Sequence, residues 1–315
     1  MKKNIQIHAN MKLTFDMRRI LKGRQDIDKI CVVTCAKHEK NYIVDYVDYY
    51  INKMQFDMVI IADNNDDNDD ENLSELLTNY INDEKCIVLT QWRNKRIRQC
   101  EVHKYIFEKY KQNFAWMAFF DVDEYLQMNN GLTPKQYLKN FTQFDCVSIN
   151  WQLYTDSNLL YYEPKPLYER FKKKFKSTNK FSDTRYCRSN FQCKSFINCK
   201  TSKQVLSLSA HKFEFNNGHY CNADGNEIPY CDENFNRFEL PNISYANMQV
   251  NHYMTKTIEE FTIANLHKTF DWSNHFKTYE DIKTAFTQIN RWNKRKEKIL
   301  TKMINNYIKN GEKGI

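Results

Sequence analysis

The stretch that decides the fold is FAWMAFFDVDEYL, residues 114–126. It runs apolar and aromatic with no polar break until Asp121, the pattern of a strand buried on both faces of a sheet. Three carboxylates, Asp121, Asp123 and Glu124, follow where the apolar support ends. In open α/β sheets ligands bind outside the carboxyl ends of the strands, so these acids are expected at the rim of a crevice. Along an extended chain of period two, Asp121 and Asp123 point the same way and can share one divalent cation. A bare D-x-D also occurs on solvated loops. The buried strand before this one makes it more specific, because like charges at the end of a core strand need neutralising.

Upstream, ICVVTC at 30–35 reads as a β-branched strand. A helix from about residue 39 carries Ile43, Tyr46, Val47, Tyr50, Ile51 and Met54 on one stripe, and a second strand spans 58–62. Strand, helix, strand over this length is a βαβ unit whose right-handed crossover makes the strands parallel. A third strand at 86–89 and a helix to about 111, with Val102, Ile106 and Tyr110 inward, lead into the 114–120 run. Asp63, first beyond the second strand, is expected to accept hydrogen bonds from a base or ribose. The acidic run 63–71 is not an EF-hand loop, which needs Gly and Glu where Asn68 and Ser74 stand. It reads as a solvated loop capping a helix near Asn72. Arg96, Arg98 and Gln99 sit near a helix start, where backbone N–H groups favour phosphate; plain surface charge explains them equally well.

Downstream the pattern changes. A helix at 133–141 has Pro134 in its first turn, and a strand follows at 145–150. The next twenty residues read as irregular and aromatic. There Trp151, Tyr154 and Asp156 suit a sugar, which shows apolar C–H faces and hydroxyl edges, although loop aromatics commonly just pack. Strand-like stretches surround Lys194 and Val205, His211 follows, and 218–242 is a polar insertion expected to be a loop or lid. A strand at 243–253 ends near His252, ahead of Lys256 and a helix from 257. A strand histidine usually satisfies its own core, but this position also suits a phosphate or metal contact. A last helix is expected from about 279 to 308.

The chain of 315 residues carries a net charge of +8, and its basic runs at 172–180 and 291–298 suit phosphates on nucleic acid, anionic lipid or nucleotide sugars, or simply solvated faces. No apolar run is long enough to span a bilayer, and the start lacks the apolar middle of a secretory signal, so a cytoplasmic location is expected. Ten scattered cysteines are expected as reduced thiols, with Cys187, Cys193 and Cys199 at six-residue steps on one strand face. None of the glycines forms G-x-G-x-x-G or G-x-x-x-x-G-K, which argues against a dinucleotide fingerprint or a P-loop.

DNN at 63–65, FFDVDEYL at 119–126, NW at 150–151, ERF at 169–171, KSF at 194–196 and NHYMTKTIEEF at 251–261 resemble, in this order, glycosyltransferases related to families 2 and 92. AKHE at 36–39 is similar to that family's K-N-E, with His38 in place of Asn. The resemblance covers residues 30 to about 265. It implies a GT-A-like α/β fold with a Rossmann-type mixed sheet flanked by helices, an acceptor-side subregion and a C-terminal helical segment. The expected organisation is a leader (1–28), a catalytic domain (29–270) with nucleotide half (29–126) and acceptor half (127–270), and a basic helical segment (271–315).

The resemblance further implies a metal-dependent, inverting transfer of a hexose, galactose or glucose, from a UDP-sugar to a glycan or lipid-linked glycan acceptor in bacterial surface polysaccharide or lipooligosaccharide assembly. Asp121, Asp123 and His252 would hold Mn²⁺ or Mg²⁺. Glu39, Asp63, Arg98, Gln99, Asp121 and Lys256 would bind the donor, and Trp151 and Tyr154 the acceptor. Metal-bound carboxylates make poor bases, which leaves Asp156, preferred on position, or Glu124 to take the acceptor proton. Peripheral contact with the inner face of an anionic membrane is compatible with the basic C-terminal helix, whose apolar stripe more often docks on its own domain. Nucleic acid is not an expected partner. A metal-dependent phosphodiesterase or nuclease would explain DVDE and the charge but not the DNN and NHY-x-TK segments, and a non-catalytic nucleic-acid-binding protein would not need a buried strand ending in acids.

Overall fold

The computed structural model describes residues 28–67, 69, 71–176, 189–201, 203–208, 211–229, 239–267 and 278–309. Residues 1–27 of the leader, Cys187 and residues 177–180 of the basic run lie outside them. Strand β1 (Ile30–Ala36) pairs in parallel with β2 (Met58–Asp63) on one side and β4 (Trp116–Phe119) on the other, and β2 pairs in parallel with β3 (Cys86–Leu89). Alternate residues of these strands serve opposite faces, which is why each reads as a continuous apolar run. Val32, Val59 and Ala118 join one core, beneath helix α1 (Ile43–Asp48) and the π-helical turn that extends it. Val33, Ile60 and Met117 join the other, beneath helix α2 (Gln99–Tyr110).

Further strands follow: β5 (Glu124–Met128), β6 (Cys146–Leu153), β7 (Cys193–Asn198), β8 (Val205–Leu208), β9 (Phe213–Phe215), β10 (Tyr220–Asn222), β11 (Glu227–Ile228) and β12 (Met248–His252). Of these, β8 and β9 pair only with each other, as a separate hairpin, and the others complete the sheet. The main path runs β11-β10-β6-β7-β4-β1-β2-β3, with β12 joining β6 to β5. Strand β7 lies antiparallel to both β4 and β6. The fold is the expected α/β class, a mixed sheet flanked by helices.

Four expectations change. Residues 114–126 are two strands: β4 stops at Phe119 and β5 starts at Glu124, with a turn between closed by Glu124 N–H donating to Asp121 O at 2.9 Å. The period-two argument for Asp121 and Asp123 therefore does not apply; a turn presents them instead. Strand β6 continues past residue 150 to Leu153, because Trp151–Leu153 gain a parallel partner in Val250–His252. The polar insertion contributes β10 and β11, which extend the sheet beyond β6. Finally, the C-terminal helix is two helices, α4 (Tyr279–Thr287) and α5 (Lys294–Lys309). They pack on helix α3 (Ile258–His267) through Phe261, Phe286 and Leu300, and Met303, Ile304 and Tyr307 of α5 lie against that cluster. The apolar stripe of α5 thus docks on the chain itself. Among the described residues no helix is long and apolar enough to cross a membrane.

Candidate functional site

The turn between β4 and β5 is fastened on both sides. Tyr253 N–H, just past β12, donates to Asp123 O at 2.9 Å, and Asp121 N–H donates to Glu124 Oε2 at 2.8 Å. Asp121 stands partly exposed at 36% of its side-chain surface, where Gln99 at the start of α2 reaches Oδ1 at 2.6 Å and Lys194 of β7 reaches Oδ2 at 2.8 Å. Lys194 also lies 3.2 Å from Glu124 Oε2, with 1% of its own side chain exposed and none of Glu124's. Asp123 faces the other way: Lys256 donates to Oδ2 at 3.1 Å, and His252 Nε2 lies 3.5 Å from Oδ1.

The electrostatics separate Asp121 from Glu124. Burial tends to raise Asp121, but the Lys194 ammonium outweighs it and holds the carboxyl low, at about 2. Burial dominates at Glu124 and pushes it up to about 7, against the pull of Lys194. For His252 and Lys256 burial opposes the charged form, and Asp123 nevertheless raises both above their ordinary values. Lys194 is raised in the same way by Asp121 and Glu124.

Two ligands at right angles on one divalent cation stand about 3 Å apart, given bonds of about 2.1 Å. The 3.5 Å between Asp123 Oδ1 and His252 Nε2 is too long for a good hydrogen bond and close to that spacing. Both oxygens of Asp121 are meanwhile engaged by Gln99 and Lys194. No three His, Cys, Asp or Glu side chains among the described residues form a ready cage. Asp123 Oδ1 and His252 Nε2 are therefore the adjacent atoms that could serve one cation, and Asp121 would have to give up a partner to join them.

Among solved structures, two that are weakly similar to this chain are of one protein. Staphylococcus aureus TarS, residues 1–349, is similar over 54% of this chain at 14% identity with a TM-score of 0.32, and TarS 1–349 in complex with UDP over 54% at 12% identity with a TM-score of 0.33. The match spans 47% of each TarS chain, about half its length. No family model and no curated protein matches the chain.

The remaining expected residues fall into two groups. Glu39 acts on Lys256 electrostatically, and its carbonyl accepts the N–H groups of Tyr42 and Ile43 at the entry to α1. Asp63 is buried with both oxygens occupied: Oδ1 accepts from Asn65 N–H and Nδ2 at 3.0 and 2.9 Å, and Oδ2 accepts from Arg93 Nη1 at 2.6 Å. Asn65 Oδ1 in turn accepts His38 N–H at 2.8 Å, so the DNN segment fastens the loop after β1. Arg98 is 68% exposed and lies 3.7 Å from Glu101.

Trp151 and Tyr154 are buried among other rings. The Trp151 ring sits 4.4 Å from His252 and 5.2 Å from His211, and Tyr154 packs 4.8 Å from the Tyr253 ring. Asp156 is joined to the C-terminal helices: its carboxylate, 3% exposed, pairs with Lys296 of α5, and its N–H donates to Asn290 Oδ1 at 2.6 Å.

Lys194 is the central residue that the sequence reading did not assign to the site. Its signal was present, a lysine in the strand CKSFIN on the same face as Phe196, where a charge survives only beside an opposite one. Arg93, which neutralises Asp63, was hidden among the basic residues of 93–98.

Proposed function

We propose that this protein is a glycosyltransferase whose donor is a nucleoside-diphosphate sugar, bound over the carboxyl ends of β1, β2 and β4 against the Asp121–Asp123 turn. The observation that carries the reading is the meeting of Lys256 and His252, from the NHY-x-TK segment, with Asp123 of the DVDE segment, at 3.1 and 3.5 Å. The two most specific parts of the family resemblance are distant in sequence and adjacent in the fold. Asp121, Asp123 and His252 would hold Mn²⁺ or Mg²⁺, which when bound would neutralise the departing diphosphate.

Lys256 donates to Asp123 from a position where a phosphate oxygen could take over its ammonium. Gln99 and Lys194 keep Asp121 ionised and oriented, and Glu39 borders the nucleoside side of the cleft. Asp63 shapes that side through Asn65, and Arg98 is an exposed cation near the start of α2. Trp151 and Tyr154 would back the acceptor side. Of the two carboxylates considered for the acceptor proton, Glu124 lies in the cluster, 3.2 Å from Lys194 through Oε2 and 3.9 Å from His252 Nδ1 through Oε1, and its carboxyl is pushed up to about 7 by burial. Asp156 is committed to Lys296, so we assign it to docking of the C-terminal helices.

Within this reading, a UDP-hexose donor, inversion at the sugar carbon and a surface-glycan acceptor rest on the family resemblance. Peripheral contact with an anionic membrane rests on that acceptor class and on the basic C-terminal helix, and a cytoplasmic location on the apolar pattern of the sequence alone. The test is thermal stability with UDP and UDP-sugars, with and without Mn²⁺, because a ligand of the native state raises Tm by mass action. A metal-dependent increment for UDP that disappears in Asp123→Asn is the expected result. No increment for any nucleotide, with stabilisation by a phosphodiester instead, would move the assignment to phosphodiester hydrolysis.

A further inference from the structure

Lys256 has an unusual setting. Its φ of +48° lies in the left-handed region, which a residue with a side chain adopts only when its surroundings hold it there. Its ammonium lies over the Tyr42 ring, 5.0 Å from the centroid, as well as against Asp123.

The surroundings that hold it centre on one buried carboxylate, two residues into α3. Glu260 accepts Arg170 Nη1 and Nη2 at 3.0 and 2.7 Å, Tyr42 O–H at 2.8 Å, and both Thr257 N–H and Oγ1–H at 3.1 and 2.7 Å. Thr257 Oγ1 accepts Glu260 N–H at 3.1 Å, completing the reciprocal pair of a capping box. The next acid, Glu259, accepts Tyr162 N–H at 2.7 Å, and Arg170 also covers the Tyr162 ring at 5.2 Å. Arg170 and Glu260 come from two separate segments of the chain, ERF and EEF, and each is buried.

We propose that the Arg170–Glu260 pair is a positioning device that locks the backbone of Lys256 through Thr257, and so sets how tightly the site holds the diphosphate of a nucleotide. The inference rests on the donor reading above and adds two residues to it. Neither residue touches the donor. A bidentate arginine fixes the orientation of Glu260 as well as its charge, Glu260 fixes the first turn of α3, and Lys256 is the residue immediately before that turn. Tyr42 closes the circuit, donating to Glu260 through its hydroxyl while its ring face carries the lysine ammonium. The same circuit ties the segment around Tyr162 and Arg170, on the acceptor side, to the lysine on the donor side.

The test compares UDP with uridine, which lacks the phosphates, by calorimetric titration in the presence of Mn²⁺. Arg170→Met with Glu260→Gln removes both buried charges together and leaves a glutamine able to complete the capping box. This variant and Lys256→Met are each expected to weaken UDP about tenfold, the loss of one charge-assisted contact, with uridine unchanged. Combining all three substitutions is expected to cost no more than either, because the pair acts through the lysine. Tyr42→Phe, which keeps the ring and loses one hydrogen bond to Glu260, is expected to shift UDP in the same direction by a smaller factor. If the charge-removing pair fails to fold, Glu260→Gln alone is judged by the same criterion. UDP affinity equal to the parent's, or a combined loss equal to the product of the separate ones, overturns the inference and leaves the donor reading standing. A parent protein that binds no UDP overturns both.

Discussion

Lys194 Nζ bridges two carboxylates, 2.8 Å from Asp121 Oδ2 and 3.2 Å from Glu124 Oε2, with 1% of its side chain exposed. Removing one partner of a buried pair leaves uncompensated charge, at a cost of about 3–5 kcal/mol. Lys194→Met is therefore expected to destabilise by about that amount in urea unfolding. Lys194→Met with Glu124→Gln is expected to recover part of the loss. A single substitution costing under about 1 kcal/mol would show that the pair contributes little.

The same constellation predicts a pH dependence of stability. Glu124 is raised from 4.5 to about 7 in the folded protein, so the native state binds its proton more tightly than the unfolded chain does. Its stabilising contribution is complete below pH 4.5 and is lost as pH rises through 7. Asp121, lowered from 3.8 to about 2, acts oppositely: its contribution is present above 3.8 and lost as pH falls toward 2. Glu124→Gln is expected to flatten Tm between pH 5 and 7.5 by about a few degrees relative to the parent. A parent curve already flat over that range would contradict the burial-driven shift.

Asp156 and Lys296 join the strand layer to the C-terminal helices. Asp156→Asn is expected to lower stability by about 3 kcal/mol and to speed proteolysis within 278–309, while leaving UDP affinity unchanged. Transfer by this variant, assayed once donor and acceptor are known, is expected to persist in proportion to the folded fraction. Abolished transfer in a fully folded variant would return Asp156 to the chemistry.

Arg93 neutralises the buried Asp63 and also reaches Asp67 at 3.1 Å and Asp66 O at 2.8 Å. Arg93→Met is expected to cost about 3 kcal/mol and to accelerate amide exchange across 64–67. Exchange rates matching the parent's would mean that Asn64 and Asn65 hold the loop unaided.

Periodicity in the sequence is enough for the α/β class and for the strand–helix succession of β1 to β4, because a strand buried on both faces and a helix with one apolar stripe have different repeats; only the tertiary structure puts β4 beside β1 rather than beside β3. It also marked Asp121, Asp123, His252 and Lys256 as residues of interest, since charges that close apolar strands need partners. The partners themselves came from chain segments whose proximity no local pattern encodes. Lys194 meets Asp121 across 73 residues, Lys256 meets Asp123 across 133, and Arg170 meets Glu260 across 90. Trp151 and Tyr154, legible as sugar-stacking aromatics, are buried where β12 pairs with the second half of β6. Asp156, legible as a base, is paired with Lys296, a partner distant in the chain that no local pattern encodes. Side-chain type and spacing determine which groups can ionise, bond or pack; the long-range pairing of strands and helices decides which of those groups remain open to a ligand and which are spent on the fold.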